Sequence, residues 1–264
     1  MSWLTEHCLS RRVEVAQRQA RVPESELRAR IADQPAARPF LGNLRHTFES
    51  KQRVAVIAEI KFRSPSMGQL RPQIDVEHVA ASYQASGASA LSVLVDEVHF
   101  GGQRSFLTRA RAATQLPAIA KGFLVDPYDV IEARTYGADA VLLIASCLER
   151  SELEAMHALA LELGMDALVE LHSEADFLKV EGLELPLVGV NHRDLDTLQM
   201  DMDLSTRLAP QLPAASLRVA ESGIKTPEDL LRMKALGYQA VLVGTAFMQH
   251  PEPGEELAKL LGQG

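Results

Sequence analysis

Charged side chains stand in this sequence where a buried chain should stay apolar. The run Val54 to Ala58 reads as a short buried strand, and Glu59 and Lys61 follow it at once. Residues two apart on a strand leave the same face, so the two charges point the same way. Burying either alone is expensive, so they must be paired, hydrated or engaged with a ligand. Ser64-Pro65-Ser66 and Gly68 then turn the chain with small residues whose amides and hydroxyls stay open. An acid, a base and a polar loop at a strand's C-terminal end look like one wall of an active site.

The pattern recurs along the chain. Lys121 follows Pro117-Ala-Ile-Ala and precedes Phe123. Alone it would read as a loop lysine reaching for solvent. Facing a partly apolar mouth, it is expected to have its pKa lowered towards neutrality and to serve as a general acid. Glu170 ends Ala167-Leu-Val and has His172 two residues on. That pair suits a metal, but no third ligand has suitable spacing, so a glutamate base opposite Lys121 is preferred. Glu221-Ser222-Gly223 precedes Thr226-Pro227-Glu228-Asp229, where Thr226 and Asp229 form a helix cap and Pro227 suits the first helical position. The cap does not account for Glu221 at a strand end, nor for Gly223. The remaining histidines (His7, His46, His78, His99, His157, His192 and His250) have no partner identifiable in the sequence and are expected at the surface.

These residues need elements to hold them. Short apolar runs occur at 54–60, 90–95, 118–120, 140–144, 167–169, 187–190, 217–220 and 240–243. Helix-like segments lie between them at 76–86, 128–136, 151–163 and 227–236, closed by Gly87, Gly137, Gly164 and Gly237 as helix ends are. Strand runs without hydrophobic alternation indicate a parallel sheet buried on both faces. Eight such units predict an α/β fold, a (β/α)8 TIM barrel, with a doubly wound open sheet as the competing architecture. A barrel places chemistry at the C-terminal strand ends. Those ends read Glu59 and Lys61, Asp96, Lys121, Ser146, Glu170, Asn191 and Arg193, Glu221 and Ser222, and Gly244-Thr245. Gly223 and Gly244-Thr245 follow strands seven and eight, where barrels often hold phosphate on loop amides and a helix N-terminus.

Residues 1–50 are rich in Arg, Ala, Glu and Gln and contain no strand-like run. Helices are expected over 11–20 and 25–31, and Pro35, Pro39 and Gly42 break the stretch beyond them. This reads as a helical N-terminal extension packed on the barrel, with residues 51–264 forming the barrel itself. The extension has too little apolar surface to fold alone.

The totals exclude several classes. The chain has 264 residues, 47% hydrophobic and 23% charged, and a net charge of −8. An acidic chain argues against a nucleic-acid partner, although a local phosphate site remains compatible with it. The longest apolar run, around 140–144, is too short to span a bilayer, and the N-terminus lacks a signal-peptide pattern. Cys8 and Cys147 are too few and too far apart in sequence for a ligand pattern, so free thiols and a cytoplasmic location are expected. There is no P-loop, dinucleotide fingerprint or nucleophile elbow.

The combined motifs resemble one family. Glu59-Ile-Lys-x-x-Ser-Pro-Ser66, Phe100-Gly-Gly, Lys121-x-Phe123, Ala138-Asp-Ala-Val-Leu-Leu-Ile144, Leu168-Val-Glu-Leu-His172, Asn191-x-Arg193-x-Leu195 and Ala220-Glu-Ser-Gly-Ile224 are similar to indole-3-glycerol phosphate synthases over essentially residues 1–250. The resemblance implies closure of the indole ring of 1-(2-carboxyphenylamino)-1-deoxyribulose 5-phosphate, with loss of CO2 and water, in tryptophan biosynthesis. It implies no metal or organic cofactor, and as sole partner a phosphorylated small molecule, with the chain a monomer or weak homodimer. It casts Lys121 as general acid, Lys61 as holder of the anthranilate carboxylate and Glu170 as acid/base of the dehydration half. Glu59 and Asn191 would orient Glu170 and the sugar hydroxyls, and Glu221 and Ser222 would line the same cavity. Phosphate would sit on Ser64, Gly223, Gly244 and Thr245 with Arg193 nearby. Phe100, Phe123 and Leu142 would pack on the aromatic ring.

Three positions depart from the family pattern. Gly122 stands where the family usually has Asp, Val95 where it has Thr, and Gln103-Arg104 where it has Ser-Leu. A carboxylate missing beside Lys121 would be felt in that lysine's pKa, rotamer or loop. The rival readings are a paralogue with a related phosphorylated substrate and a catalytically silent barrel that binds a phosphorylated ligand. Lys61, Lys121 and Glu170 standing together argue against the silent barrel.

Overall fold

A computed structural model of the chain describes residues 2–64, 68–70 and 75–263. Pro65 and Ser66 of the first motif lie outside the described residues. Eight parallel strands close into a barrel: β1 Ala55–Ile60, β2 Ala90–Leu94, β3 Ala118–Lys121, β4 Ala140–Ile144, β5 Asp166–Leu171, β6 Leu187–Asn191, β7 Leu217–Glu221 and β8 Ala240–Val243. Each pairs with its neighbour in sequence, and β1 closes on β8 through Ala55 opposite Ala240 and Ala58 opposite Val243. The open-sheet alternative is thereby excluded. Strand residues from Ala55 to Ile60 and from Ala140 to Ile144 are all buried. One face fills the barrel and the other meets the helices, which is why the sequence shows runs rather than alternation.

Helices start and stop where local chemistry dictates. Asp126 accepts from the Tyr128 amide with Pro127 in the first turn, and Thr226 and Asp229 form a reciprocal cap. Gly87, Gly137, Gly164 and Gly237 each end a helix at positive φ, where a side chain would be strained.

Ahead of the barrel lie helices α1 Trp3–Arg21, α2 Glu24–Ile31 and α3 Phe40–Lys51. The third differs from the sequence expectation of a broken stretch. Pro39 occupies its N-cap and Gly42 its first turn, where a helix tolerates both, while Phe40 and Leu44 become fully buried. Burying those two side chains contributes roughly 1.5–3 kcal/mol each, which outweighs a glycine penalty of about 1 kcal/mol. The segment entering α3 closes the lower end of the barrel. The Arg38 amide donates to Asp139 (2.7 Å) and the Leu41 amide to Asp166 (2.8 Å), both at strand N-termini. Helix α1 packs higher up: Arg18 bonds Asp129 (2.6 Å) and Arg12 bonds Glu152. Cys8 of α1 and Cys147 beyond β4 are free and buried, and each thiol shifts the other's pKa, Cys8 down and Cys147 up. Among the described residues no helix is long and apolar enough to cross a membrane.

Candidate active site

The upper end of the barrel opens into a cavity of about 550 Å³, a size that suits a small-molecule ligand. Every catalytic or substrate-binding candidate from the sequence lines it. They are Glu59, Lys61, Ser64, Phe100, Lys121, Phe123, Leu142, Glu170, Asn191, Arg193, Glu221, Ser222, Gly223, Gly244 and Thr245. Two further strand ends do not contribute. Asp96 caps the short helix after β2 through the His99 amide, and Ser146 donates to Asp176.

The charges form two groups. Lys61 Nζ meets Glu59 Oε1 at 2.6 Å. Deeper in, Lys121 Nζ lies 2.9 Å from Glu170 Oε2 and 2.9 Å from Glu221 Oε2. Asn191 Nδ2 donates to the same Glu170 oxygen at 3.2 Å, and His172 Nε2 stands 2.7 Å from Glu170 Oε1. The expectation that burial lowers the Lys121 pKa is overturned. Burial does oppose its charge, but Glu170, Glu221 and Glu59 together outweigh it and raise the pKa above that of an ordinary lysine. Burial would likewise raise Glu170, yet Lys121 and His172 on its two oxygens hold it well below the carboxylate range. Glu221 goes the other way: burial and the neighbouring Glu170 charge push it well up, against the pull of Lys121. Two carboxyls sharing one ammonium are thus driven apart, one ionised and one ready to carry a proton.

Two glycines make room for this. A Cβ on Gly244 would stand 2.2 Å from Glu59 Oε1, and one on Gly189 would stand 2.4 Å from Glu221 Oε1. The loop after β7 is held tightly. Ser222 sits at φ 67°, with its hydroxyl donating to Asn191 Oδ1 at 2.8 Å. Its carbonyl accepts from His192 Nδ1 (2.8 Å), whose Nε2 meets Ser205 Oγ (2.6 Å).

His192 and His7 therefore correct the expectation of surface histidines, being 1% and 7% exposed. His7 stacks on Trp3 and meets Phe123 edge-on at 4.3 Å. His46, His78 and His250 also have partners, in Ser50, Glu252 and Glu256. Trp3 escapes the sequence reading altogether: carried by α1, it lines the cavity beside Phe123, at 6.0 Å between rings. The chain start gives no signal for it, because only the packing of α1 brings it there. Gly122 lines the cavity too, and its side-chain direction faces Val95, at 3.1 Å from a built Cβ. Two of the departures from the family pattern thus touch each other. Among the described residues no group of three or more His, Cys, Asp or Glu side chains is arranged to hold a metal.

Comparisons with known proteins agree with this geometry. A sequence profile described as Indole-3-glycerol phosphate synthase matches residues 4–260. An indole-3-glycerol phosphate synthase of Azoarcus sp. (strain BH72) is 46% identical over 257 residues, 97% of each chain. That of Rhodospirillum rubrum is 43% identical over 260 residues, 98% of each. Among solved structures, tryptophan synthase subunit alpha from Legionella pneumophila aligns with TM-score 0.62 at 14% identity, covering 86% of this chain and 98% of that one. A 3-hexulose-6-phosphate synthase from Salmonella typhimurium aligns with TM-score 0.63 at 12% identity, covering 80% and 100%. At such identities the structures speak for the barrel fold alone.

Proposed function

The chain belongs to the indole-3-glycerol phosphate synthase family, and we propose that its cavity closes the indole ring of 1-(2-carboxyphenylamino)-1-deoxyribulose 5-phosphate. The enzyme is a carboxy-lyase of tryptophan biosynthesis. The observation that carries the assignment of roles is Lys121 held between Glu170 and Glu221 at 2.9 Å from each.

Lys61, at the rim beside Glu59, receives the anthranilate carboxylate. Lys121 stays protonated at neutral pH and donates to the ribulose carbonyl as the ring carbon attacks it. Carbon dioxide then leaves from the ring and restores its aromaticity. In the dehydration half, Glu170 in its ionised form takes the proton from carbon, and a proton is delivered to the departing hydroxyl. Glu221 is the neighbouring carboxyl suited to hold that proton. Asn191 and Glu59 orient Glu170 and the sugar hydroxyls. The phosphate rests on Ser64, Gly223, Gly244 and Thr245 with Arg193 beside it, and Phe100, Phe123 and Leu142 pack on the aromatic ring. The free thiols and the biosynthetic role support a cytoplasmic enzyme, and a self-contained cavity on one chain supports a monomer or weak homodimer. The acidic total charge supports a small phosphorylated molecule, rather than nucleic acid, as the partner.

The test is the growth of indole fluorescence when purified protein meets this substrate. Turnover lost by several orders of magnitude in Lys121→Ala is expected. Tight binding with no product from the unmodified protein would refute the assignment.

A further inference from the structure

We propose that His172 is a positioning residue that clamps Glu170 from behind and keeps it in the ionised form in which it faces the cavity. The inference rests on the reading of Glu170 as the base of the dehydration half. His172 follows β5 and its side chain is 5% exposed. It contributes nothing to the cavity lining, so whatever it does for the reaction passes through Glu170.

The proton count comes from its partners. Nδ1 lies 2.8 Å from the main-chain carbonyl of Arg193. A carbonyl only accepts, so Nδ1 carries a hydrogen. Nε2 lies 2.7 Å from Glu170 Oε1, and one proton is shared across that contact. The other Glu170 oxygen already receives N–H donors from Lys121 and Asn191. A carboxylate with donors on both oxygens is stabilised in its charged form, so the shared proton stays on nitrogen. His172 is then an imidazolium and Glu170 a carboxylate, locked in rotation by donors on both sides.

The rest of the surroundings fit that charge. The His172 amide donates to Asp176 at 2.8 Å, and Asp176 on the next helix also takes Ser146 Oγ at 2.6 Å. Asp194, on the loop after β6, lies close enough for His172 to favour its ionised form. Lys121 and Glu221 stand beyond Glu170. Burial is the largest effect opposing a cation at this point, and Glu170, the Arg193 carbonyl and Asp176 together outweigh it.

The plain alternative is a core histidine that ties β5 to the loop after β6. Two measurements separate the readings. In the unmodified protein, proton–nitrogen correlation NMR of the imidazole is expected to show both ring nitrogens protonated at pH 7. A neutral ring there would overturn the proposal whatever substrate the enzyme uses. The second measurement compares His172→Gln, which keeps a neutral donor towards Glu170, with His172→Asn, which reaches only the Arg193 carbonyl. Removing the positive charge raises the Glu170 pKa, so the acid limb of kcat/KM should move up by roughly one pH unit or more in both variants. kcat should fall further in His172→Asn, with KM little changed in either. Lower thermal stability with an unmoved acid limb would overturn the proposal and leave a structural histidine. Failure of the unmodified protein to turn the substrate over would instead count against the proposed reaction, and the NMR result would still decide the state of His172.

Discussion

Lys121→Met removes the one ammonium between Glu170 and Glu221 while keeping the length of the side chain. Both carboxyls are nearly inaccessible, at 2% and 1% side-chain exposure. Breaking a buried ion pair by deleting one partner costs about 3–5 kcal/mol, because the remaining charge is left uncompensated. At about 2–4 °C per kcal/mol for a chain of this size, the melting temperature at pH 8 should fall by roughly 6–20 °C. The sign of the pH dependence is fixed by the two carboxyls. In the unmodified protein Glu170 is depressed, so its contribution is present above the ordinary carboxyl range and is lost as pH falls through its folded value. Glu221 is raised, so its contribution favours the fold at low pH and is lost as pH rises through its folded value. Without Lys121, Glu170 loses its main counter-charge and Glu221 rises further. The deficit is therefore largest at high pH. Each pH unit over which the variant holds one more proton than the parent returns about 1.4 kcal/mol, so the deficit shrinks as pH falls from 8 to 5. Urea unfolding followed by circular dichroism at both pH values measures this directly. A variant as stable as the parent at pH 8, or one whose deficit grows towards pH 5, would refute the buried-triad reasoning.

Two other substitutions probe the walls of the site. Gly244→Ala places a Cβ at 2.2 Å from Glu59 Oε1, so the Glu59–Lys61 pair must move. Turnover should drop sharply for a stability loss of about 1–3 kcal/mol, whereas Gly164→Ala, strained but in open space, should cost about 1–2 kcal/mol and leave turnover unchanged. Gly122→Asp crowds Val95, whose Cγ2 lies 3.1 Å from the built Cβ, and is expected to destabilise alone. Adding Val95→Thr supplies a hydroxyl beside the new carboxylate, and urea midpoints across the double-mutant cycle should show a favourable coupling of about 0.5–3 kcal/mol; simple additivity would mean that the two positions vary independently.

The barrel was legible because its strands are buried on both faces. Val54 to Ile60 and Ala140 to Ile144 could not be solvated helix faces or half-exposed strands, and polar residues at the ends of such runs had to meet across a mouth. What the sequence could not reveal were properties set by the sum of distant neighbours. Lys121 reads as a lysine of lowered pKa when only its apolar flanks are considered. The carboxyls that reverse the sign arrive from 49 and 100 residues away in the chain. His7 and His192 have polar sequence neighbours and read as surface residues. Each is buried by a contact that only folding makes, with Trp3 and Phe123 or with Ser205. Helix α3 was hidden by Pro39 and Gly42, which are helix breakers in the interior but harmless at a first turn.

The deepest constraint on the site lies in what its neighbours lack. Gly189 on β6 stands in register with Glu170 on β5, and the space of its missing side chain is taken by Glu221 Oε1 from β7. Gly244, past the end of β8, does the same for Glu59 on the adjoining β1. In an ordinary barrel layer those positions would carry branched aliphatic side chains that fill the interior. Here aliphatic volume is given up so that two carboxyls, Glu59 and Glu221, can turn inward at the mouth, where each is costly unless a cation faces it. A larger residue at either glycine would improve the packing of an empty barrel and evict a glutamate from this one. With Glu59 and Glu221 in place a side chain at either position has no room, so the two glycines follow from the requirement to hold those carboxyls beside Lys61 and Lys121.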